Sequence, residues 1–493
     1  MVKRIAAALV VLGLLVATVV GAGLLPTWKF EVGASSTAQG HRVSAKNLQL
    51  VCPGAALASG GLGDTKVGQF APISSAGVDF SGQVLQPAQL RQRLLTGASA
   101  AWGKLGNPAN AQRLISSQSA FVLEVQDPTG VLPQGSDLLA AQSFQLVKSA
   151  SLNGLLAANC QRPTVEQWLI GANTTVGRES LLILANPNPT DASVSLELFG
   201  AAGKIQSGGS GQIAVGAFST TVIPLAGLAP QEQVLAVRVA TSGATVASWV
   251  QQRTVRGLLA AGADLIAPAQ TNQSTQVIAG LFKRGTKDAT GLIALNANYQ
   301  DLTPQLALFV PGGSAAKVTA QVVSADPKVF GTVVQVTVQP GRPSLVPLTG
   351  LKDGNYSVLI SSDQPLFSAV QLSRTNATKT PNTDFTWLPG QQAQAGLRVI
   401  NVPKSGISKL SVVNPTDSPA LVTITNLGSG KSQTITVGRQ TSVATELDSG
   451  SVIAVKSQSP IASALVVDID WQLAALALTD YRNLGGLVQV TLR

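Results

Sequence analysis

Residue types that commonly carry catalysis or bind metal ions are few in this chain and far apart. Among its 493 residues there are two cysteines, Cys52 and Cys160, and one histidine, His41. A nucleophile activated by histidine needs both groups within hydrogen-bond reach, and a structural zinc site needs four ligands. The sequence therefore argues against a Ser-His-Asp triad, a Cys-His pair and a metal site, and we expect no cofactor.

Two shorter patterns resemble parts of active sites. Ser314 and Lys317 fit the S-x-x-K motif of penicillin-binding enzymes, but the companion S-D-N and K-T-G motifs are absent from the sequence, and a turn is predicted there. Asp468 and Asp470 alternate along one predicted strand face, yet no pattern around them predicts the cleft that a glycosidase requires. We therefore expect a protein that is not an enzyme and has no catalytic residues.

The composition indicates an all-β protein. Hydrophobic residues make up 45% of the chain and charged residues only 12%, and the remainder is rich in the small polar residues that suit half-buried strands and short turns. The net charge is +10, but the basic residues are scattered and no aromatic residues alternate with them. This pattern predicts no nucleic-acid binding, and a diffuse positive field suits an anionic cell-wall polymer.

The N-terminus predicts a membrane anchor. Lys3 and Arg4 precede an uncharged stretch, residues 5–25, which as a helix is long enough to cross a hydrocarbon layer of about 30 Å. We expect a single-pass signal anchor over residues 1–28 and a linker over residues 29–44, with the N-terminus cytoplasmic and the bulk of the chain extracellular. The alternative is a signal peptide cleaved near residue 22 or 34, which would give a secreted protein.

Export bears on the two cysteines. Thiols oxidise outside the cytoplasm, and an even number of cysteines favours pairing over two buried free thiols. Cys52 lies in a predicted opening strand, and Cys160 in a predicted closing strand of the same module. We predict a Cys52–Cys160 disulfide.

Three segments of the chain look alike. Each has an apolar run, an asparagine in a turn and an alternating strand pattern, and the asparagines, Asn186, Asn296 and Asn414, are spaced by 110 and 118 residues. A strand–turn–strand element, interpreted as a hairpin, follows each segment. The spacing predicts tandem immunoglobulin-like β-sandwich modules over residues 163–265, 266–385 and 386–493, after a degenerate first module over 45–162 that includes some helix around residues 86–105. A β-propeller is the alternative fold.

Tryptophans recur near the module ends. Trp168 and Trp387 occupy similar places after the linkers, and Trp471 lies in the last module. A repeated tryptophan can form a platform for sugars, but it more often packs one module against the next. We interpret all three as aromatic anchors.

The chain is similar to an actinobacterial family of uncharacterised, membrane-anchored envelope proteins. The resemblance is carried by CPGA at residues 52–55, a second cysteine before QRPTVEQWLIG, and VGRESLLILANPNPTDASVSLELFGAAGK, while IGANTT replaces a more glycine-rich stretch. It implies an envelope location and no known activity. We therefore expect a non-enzymatic envelope protein whose modules bind a wall polymer or another envelope protein. The alternative is an accessory subunit of a wall-polymer transferase or transporter.

Overall fold

The computed structural model describes residues 41–43, 47–58, 70–73, 76–83, 89–105, 113–126, 138–208, 211–329, 331–376, 381–478 and 488–490. The first strand, β1 (His41–Val43), pairs antiparallel with the last one, residues Val488–Val490. This pair belongs to a small unit, and a second compact unit covers Lys46–Gly485. Part of the predicted linker is thus a strand, whereas the predicted anchor at residues 1–28 lies outside the described residues.

The described part of the larger unit repeats one strand arrangement four times, with eight positions that we call A to H in chain order. Repeat 1 covers residues 47–159. Its strands are β2 (Asn47–Cys52) at A, an extra pair β3 (Leu57–Ala58) and β4 (Ala71–Pro72), β5 (Ala76–Gln83) at B, β6 (Gln89–Leu94) at C, β7 (Gly103–Lys104) at D, β8 (Arg113–Ser117) at E, β9 (Phe121–Gln126) at F, β10 (Leu138–Lys148) at G and β11 (Asn153–Asn159) at H.

Repeat 2 covers residues 166–266 and has two short strands at position D. Its strands are β12 (Glu166–Ala172), β13 (Arg178–Asn186), β14 (Ala192–Gly200), β15 (Gly203–Ile205) with β16 (Ile213–Val215), β17 (Ser219–Pro224), β18 (Leu235–Ser242), β19 (Ala247–Arg256) and β20 (Leu259–Ile266). A 3₁₀ turn, Leu225–Gly227, follows position E.

In repeats 3 and 4, positions F and G form one long strand. Repeat 3 consists of β21 (Gln273–Lys283), helix α1 (Thr286–Leu295), a 3₁₀ helix (Ala297–Leu302), β22 (Gln305–Phe309), β23 (Ala316–Ser324), β24 (Val333–Val338), β25 (Ser344–Pro347), β26 (Gly354–Asn376) at F and G, and β27 (Asn382–Pro389). Repeat 4 consists of β28 (Gln394–Asn401), β29 (Ile407–Asn414), β30 (Ala420–Asn426), β31 (Ser432–Val437), β32 (Thr441–Leu447), β33 (Val452–Ile469) at F and G, and β34 (Gln472–Ala477); the C-terminal strand is β35 (Val488–Val490).

Each repeat has two layers with the same neighbour order, A-F-C-D and H-G-B-E, and the strands within them pair antiparallel; in repeat 2 the first layer has a fifth strand, β16. The all-β prediction is confirmed. The order differs from the ABED and CFG sheets of an immunoglobulin constant domain. In repeats 3 and 4 the long F–G strand runs from one layer into the other, so the two layers form one curled sheet.

The predicted hairpins are wrong because the two strands of each element belong to different layers. In repeat 2 the two strands of this element, β18 and β19, lie in different sheets and do not pair with each other. In repeats 3 and 4 they are the two halves of β26 and β33. Each half buries its apolar residues with a different layer, so the polar residues between them mark a change of sheet and not a hairpin turn.

The predicted helix around residues 86–105 is also wrong. Its described part contains β6 and β7, and β6 pairs with β9 along its whole length. Leu90 and Arg93 are buried there and Leu94 is 41% exposed, so contacts with the neighbouring strand decide the conformation and override helix propensity. The only α-helix among the described residues is α1, in repeat 3.

Two of the three aligned asparagines are structurally equivalent. Asn186 ends β13 and Asn414 ends β29; each is fully buried and donates from Nδ2 to three backbone carbonyls across the following turn. Asn296 is exposed and follows α1, where its Oδ1 accepts a hydrogen bond from the Asn298 N–H. The alignment at Asn296 is therefore wrong, because α1 and the 3₁₀ helix are inserted between positions A and B of repeat 3.

The hydrophobic cores are shared between neighbouring repeats. One cluster joins repeats 1 and 2, another repeats 2 and 3, a third repeats 3 and 4, and two more join repeat 4 to repeat 1. The repeats thus form a closed ring within the compact unit. Their radial arrangement resembles that of the propeller alternative, but a propeller blade has one four-stranded sheet and each repeat here has two layers.

Short connections at residues 160–165, 267–272 and 390–393 join consecutive repeats, and the predicted module boundary between residues 385 and 386 lies inside β27. Among the described residues, no helix has both the length and the apolar character needed to cross a membrane.

Candidate functional site

The H strands of the four repeats pack against one another at the centre of the ring. β11 contacts β20, β20 contacts β27, β27 contacts β34, and β34 contacts β11. Glycines allow two of these close approaches: a Cβ on Gly154 would lie 2.6 Å from the Ala263 nitrogen, and one on Gly262 would lie 3.0 Å from the Asp384 Cα. The four H strands therefore fill the centre of the ring, and the described residues leave no wide channel there.

Asp384 of β27 joins all four H strands. Its Oδ2 accepts the backbone N–H groups of Leu155 and Leu473, each at 3.0 Å, and its Oδ1 accepts those of Ala263 at 3.2 Å and Phe385 at 3.0 Å. These donors belong to repeats 1, 4, 2 and 3 respectively. A single carboxylate thus satisfies backbone donors that have no strand partner at the centre of the ring.

Both buried carboxylates near the centre have raised pKa values. Burial raises the pKa of Asp384 to about 7, against the lowering effect of its four backbone donors. Burial also raises the pKa of Asp264 well above its ordinary value, and the Asp384 charge adds to that effect while the Trp387 N–H, at 2.6 Å, opposes it. Because their oxygens are occupied by internal donors, we interpret both residues as structural.

A cavity of about 660 Å³ opens where the H strands begin, and we call it the axial cavity. The first residue of each H strand lines it: Asn153, Leu259, Asn382 and Gln472. Lys148 and Asp470 also line it and form an exposed ion pair with a 2.9 Å Nζ–Oδ2 distance. The first residues of the four H strands therefore lie together at one end of the ring.

The rim of the axial cavity exposes large apolar side chains. Leu258 is 98% exposed and Leu259 51% exposed, and both line the cavity. Trp471, beside the lining residue Asp470, is 40% exposed. Asp470 and Trp471 have φ values of 47° and 75°, left-handed conformations that are strained for non-glycine residues and that recur at functional sites.

A second cavity, of about 550 Å³, lies between repeats 2 and 3, and we call it the amide groove. Its lining is mostly polar and includes five glutamines, namely Gln231, Gln233, Gln300, Gln305 and Gln371. None of the five makes a side-chain hydrogen bond to another described residue. Gln371, which pairs with Gln305 across β22 and β26, is only 9% exposed as a whole residue, and it lines the groove.

Two arginines and one carboxylate form a charged cluster at the amide groove, which Arg178 and Asp301 line. Arg178, which lines it, donates to Asp301 Oδ2 at 2.6 Å, and Arg256 donates from Nη2 to both Asp301 oxygens, at 2.7 and 2.9 Å. Burial lowers the pKa of Arg178, and the nearby Arg256 charge acts in the same direction, while Asp301 opposes both. The cluster has two positive charges and one negative charge.

The predicted disulfide is confirmed. Cys52 ends β2 and Cys160 follows β11, and their sulfur atoms are bonded at 2.04 Å. Both residues are fully buried, and the neighbouring residues Val51 and Gln161 exchange two backbone hydrogen bonds. The disulfide therefore joins the A and H strands of repeat 1, which belong to different sheets.

The three tryptophans predicted as anchors lie in different surroundings. Trp168 packs against Phe199, Phe309 and Phe367, with ring centroids 5.1 to 5.8 Å apart, at the contact between repeats 2 and 3. Trp387 is 5% exposed, contacts Gly171 and donates from Nε1 to Gln252 Oε1 at 2.8 Å. Trp471 is partly exposed at the rim of the axial cavity, where the Arg284 guanidinium carbon lies 5.2 Å from its ring.

The motifs considered for catalysis are not assembled into a site. Lys317 lies in β23, where its N–H donates to Asp363, and Ser314 precedes that strand. Asp468 is paired with Arg284 and the fully buried Arg374, whereas Asp470 is paired with Lys148. Within the described ranges, no cluster of three or more His, Cys, Asp or Glu side chains is arranged to hold a metal ion.

Sequence reasoning missed Asp384 and the amide groove. A signal for Asp384 was present, since an acidic residue interrupts the apolar strand NTDFTWLP and needs a partner when buried. The glutamines gave no signal, because they come from four separate elements in two repeats and only the contact between the repeats brings them together.

Comparison with known proteins identifies a family, and the function of this family is unknown. The model of a family of unknown function (DUF5719) matches residues 125–448, from β9 of repeat 1 to the residue after β32 of repeat 4. No curated protein matches the chain.

Proposed function

The chain belongs to this family of unknown function, and we propose that it is a non-enzymatic envelope protein that binds a hydroxyl-rich cell-wall polymer in the amide groove. One observation carries the proposal: five glutamines line the groove, and none of their side-chain amides has a hydrogen-bond partner among the described residues. Ligand hydroxyl groups can supply both the donor and the acceptor that each amide lacks.

The distribution of the amides supports a polymer more than a compact metabolite. The five glutamines come from the loop before β18, the 3₁₀ helix Ala297–Leu302 and two neighbouring strands of repeat 3, so the amides are spread along the contact between two repeats. Trp387 contributes little stacking surface because it is 5% exposed. Hydrogen bonding by amides is therefore expected to dominate recognition.

The location is part of the same proposal. We propose that residues 1–28 anchor the chain in the membrane with the repeats outside, on the basis of the uncharged stretch after Lys3 and Arg4 and of the disulfide, which is typical of exported proteins. Each repeat then serves as a β-sandwich module of the envelope protein, and nucleic acid is not a partner. Protease added to wall-stripped intact cells should digest the repeats, and complete protection of the chain would contradict this topology.

Binding can be tested by sedimentation of the purified full-length protein with cell-wall polysaccharide. Replacing Gln371 and Gln305 with Met keeps their volume and removes their hydrogen-bonding groups, so we expect binding to weaken at least tenfold. Gln433→Met, on an exposed face of β31 in repeat 4, is the matched control and should bind as the wild type does. Equal binding by both variants would exclude the groove as the polymer site.

The rim of the axial cavity favours a second candidate, an accessory subunit of a wall-polymer transferase or transporter. Leu258, Leu259 and Trp471 expose apolar surface together, which is typical of protein contacts. Leu258→Ser with Leu259→Ser should then abolish co-purification with a membrane protein partner, while Leu295→Ser, at a leucine that is 82% exposed at the end of α1, should not. If both variants retain the partner, the rim is not the contact surface.

A further inference from the structure

A cluster of two arginines and one aspartate beside the amide groove has an excess of positive charge, and Arg178 and Asp301 of this cluster line the groove. Arg178 and Arg256 share the single carboxylate of Asp301, and Arg178 and Asp301 are the only charged residues among those that line the groove. The side chains of all three are largely buried, with 14%, 9% and 21% exposure. A net charge in such a place is screened less by salt than one on the open surface.

Arg178 has hydrogen-bonding capacity to spare. A guanidinium has five N–H donors, and among the described residues Arg178 makes hydrogen bonds only to the Gly177 carbonyl and to Asp301 Oδ2. Arg256 is more fully engaged, since it contacts both Asp301 oxygens and the Asn298 carbonyl and its guanidinium lies 4.6 Å from the Tyr299 ring centre. Arg178 is therefore the group that can turn free donors toward a ligand, while Arg256 holds Asp301 in place.

We infer that the groove selects an anionic polymer over a neutral one, with one acidic group of the ligand bound by Arg178 and the neighbouring hydroxyl groups bound by the glutamines. The inference rests on the proposed function and names its ligand class. Carboxylate and phosphate both match the planar fork of a guanidinium, so either a uronic acid or a sugar phosphate meets the requirement.

The test uses three soluble probes of similar length with the full-length protein: a galacturonic acid oligomer, a glycerol phosphate oligomer and a neutral glucose oligomer. Titration calorimetry should show tighter binding of at least one acidic probe than of the neutral one. Arg178→Gln should weaken binding of the acidic probe by about 10- to 100-fold, because it removes one charge-assisted interaction. It should change binding of the neutral probe by less than threefold. The two acidic probes distinguish carboxylate from phosphate recognition.

Asp301→Asn should change the affinity for the acidic probe in the opposite direction to Arg178→Gln. It removes the negative charge from the cluster and should strengthen binding of the acidic probe, so the inference does not depend on one variant keeping its fold. Equal affinity of the wild type for all three probes, or an acidic preference that survives Arg178→Gln, would overturn the inference and leave the proposed function intact. If no probe binds and wall polysaccharide does not sediment the protein, both are wrong.

Discussion

The carboxylate of Asp384 accepts the backbone N–H of Leu155 at 3.0 Å, although 229 residues separate the two in the sequence. Leu155 belongs to the last strand of repeat 1 and Asp384 to the last strand of repeat 3, on opposite sides of the ring. The same carboxylate also accepts N–H groups from repeats 2 and 4. One side chain therefore ties together repeats that share no hydrophobic core.

Asp384→Asn should remove a pH dependence from the stability of the protein. The pKa of Asp384 is raised from an ordinary 3.8 to about 7. Its contribution to the free energy of unfolding is therefore fully present below pH 3.8 and is lost as the pH rises through about 7. By linkage, this group alone lowers the free energy of unfolding by on the order of 4 kcal/mol over that range. Asparagine does not titrate.

Denaturant unfolding from pH 4 to pH 8 checks this prediction. The side-chain amide introduced by Asp384→Asn would present its N–H₂ group to backbone donors, so the variant should be less stable at pH 5, and the difference from the wild type should shrink toward pH 8. A constant difference across the whole range would show that Asp384 is ionised throughout.

Gly154→Ala should destabilise the centre of the ring. The added Cβ would lie 2.6 Å from the backbone nitrogen of Ala263, and a backbone atom cannot move away as a flexible side chain can. We expect a loss of about 1 to 3 kcal/mol, measured as a lower midpoint of chemical unfolding. Gly312→Ala is the control, since nothing lies within 4 Å of its Cβ position, and similar losses in both variants would argue against tight central packing.

Asn186→Ala and Asn414→Ala should each lower the stability of the protein strongly, whereas Asn296→Ala should not. The first two remove buried side chains that each satisfy three carbonyls, so we expect losses of about 1 to 3 kcal/mol. Asn296 is exposed and satisfies one N–H, so its replacement should cost about 1 kcal/mol or less. Thermal unfolding of the three variants gives the ranking, and a ranking with Asn296 first would contradict this account of the turns.

Strands with an alternating pattern could be predicted from the sequence because that signal is local. Alternation in β14, where Val194 and Leu196 are buried while Ser193 and Ser195 are exposed, is confirmed. The pairing of Cys52 with Cys160 followed from their number and from the expectation of export, and it also is confirmed.

The arrangement of the sheets could not be predicted from local pattern. A polar segment between two apolar runs is the same signal for a hairpin turn and for a strand that passes from one sheet to the other, as β26 and β33 do. The candidate site could not be predicted from the sequence for a related reason. Gln231 and Gln371 are 140 residues apart in the sequence, and only the contact between repeats 2 and 3 brings them to one groove.

Removing the disulfide should destabilise repeat 1 and its contact with repeat 4 more than repeat 3. The bond closes a loop of 108 residues, and the chain-entropy model gives about 4 to 5 kcal/mol for a loop of this length. Cys52 and Cys160 pack in a core that also contains Val399 and Val452 of repeat 4. Loosening of that core should therefore spread to repeat 4 first.

Hydrogen exchange of the Cys52→Ala, Cys160→Ala double variant resolves the effect by repeat. Amides of β9 and β28 should lose protection, while those of β23 in repeat 3 should keep it. Wild-type protein treated with reductant under conditions that open the bond should show the same pattern, which separates the loss of the cross-link from the loss of sulfur packing. Equal loss of protection in all four repeats would instead mean that the ring unfolds as one cooperative unit, because each repeat shares its core with two neighbours.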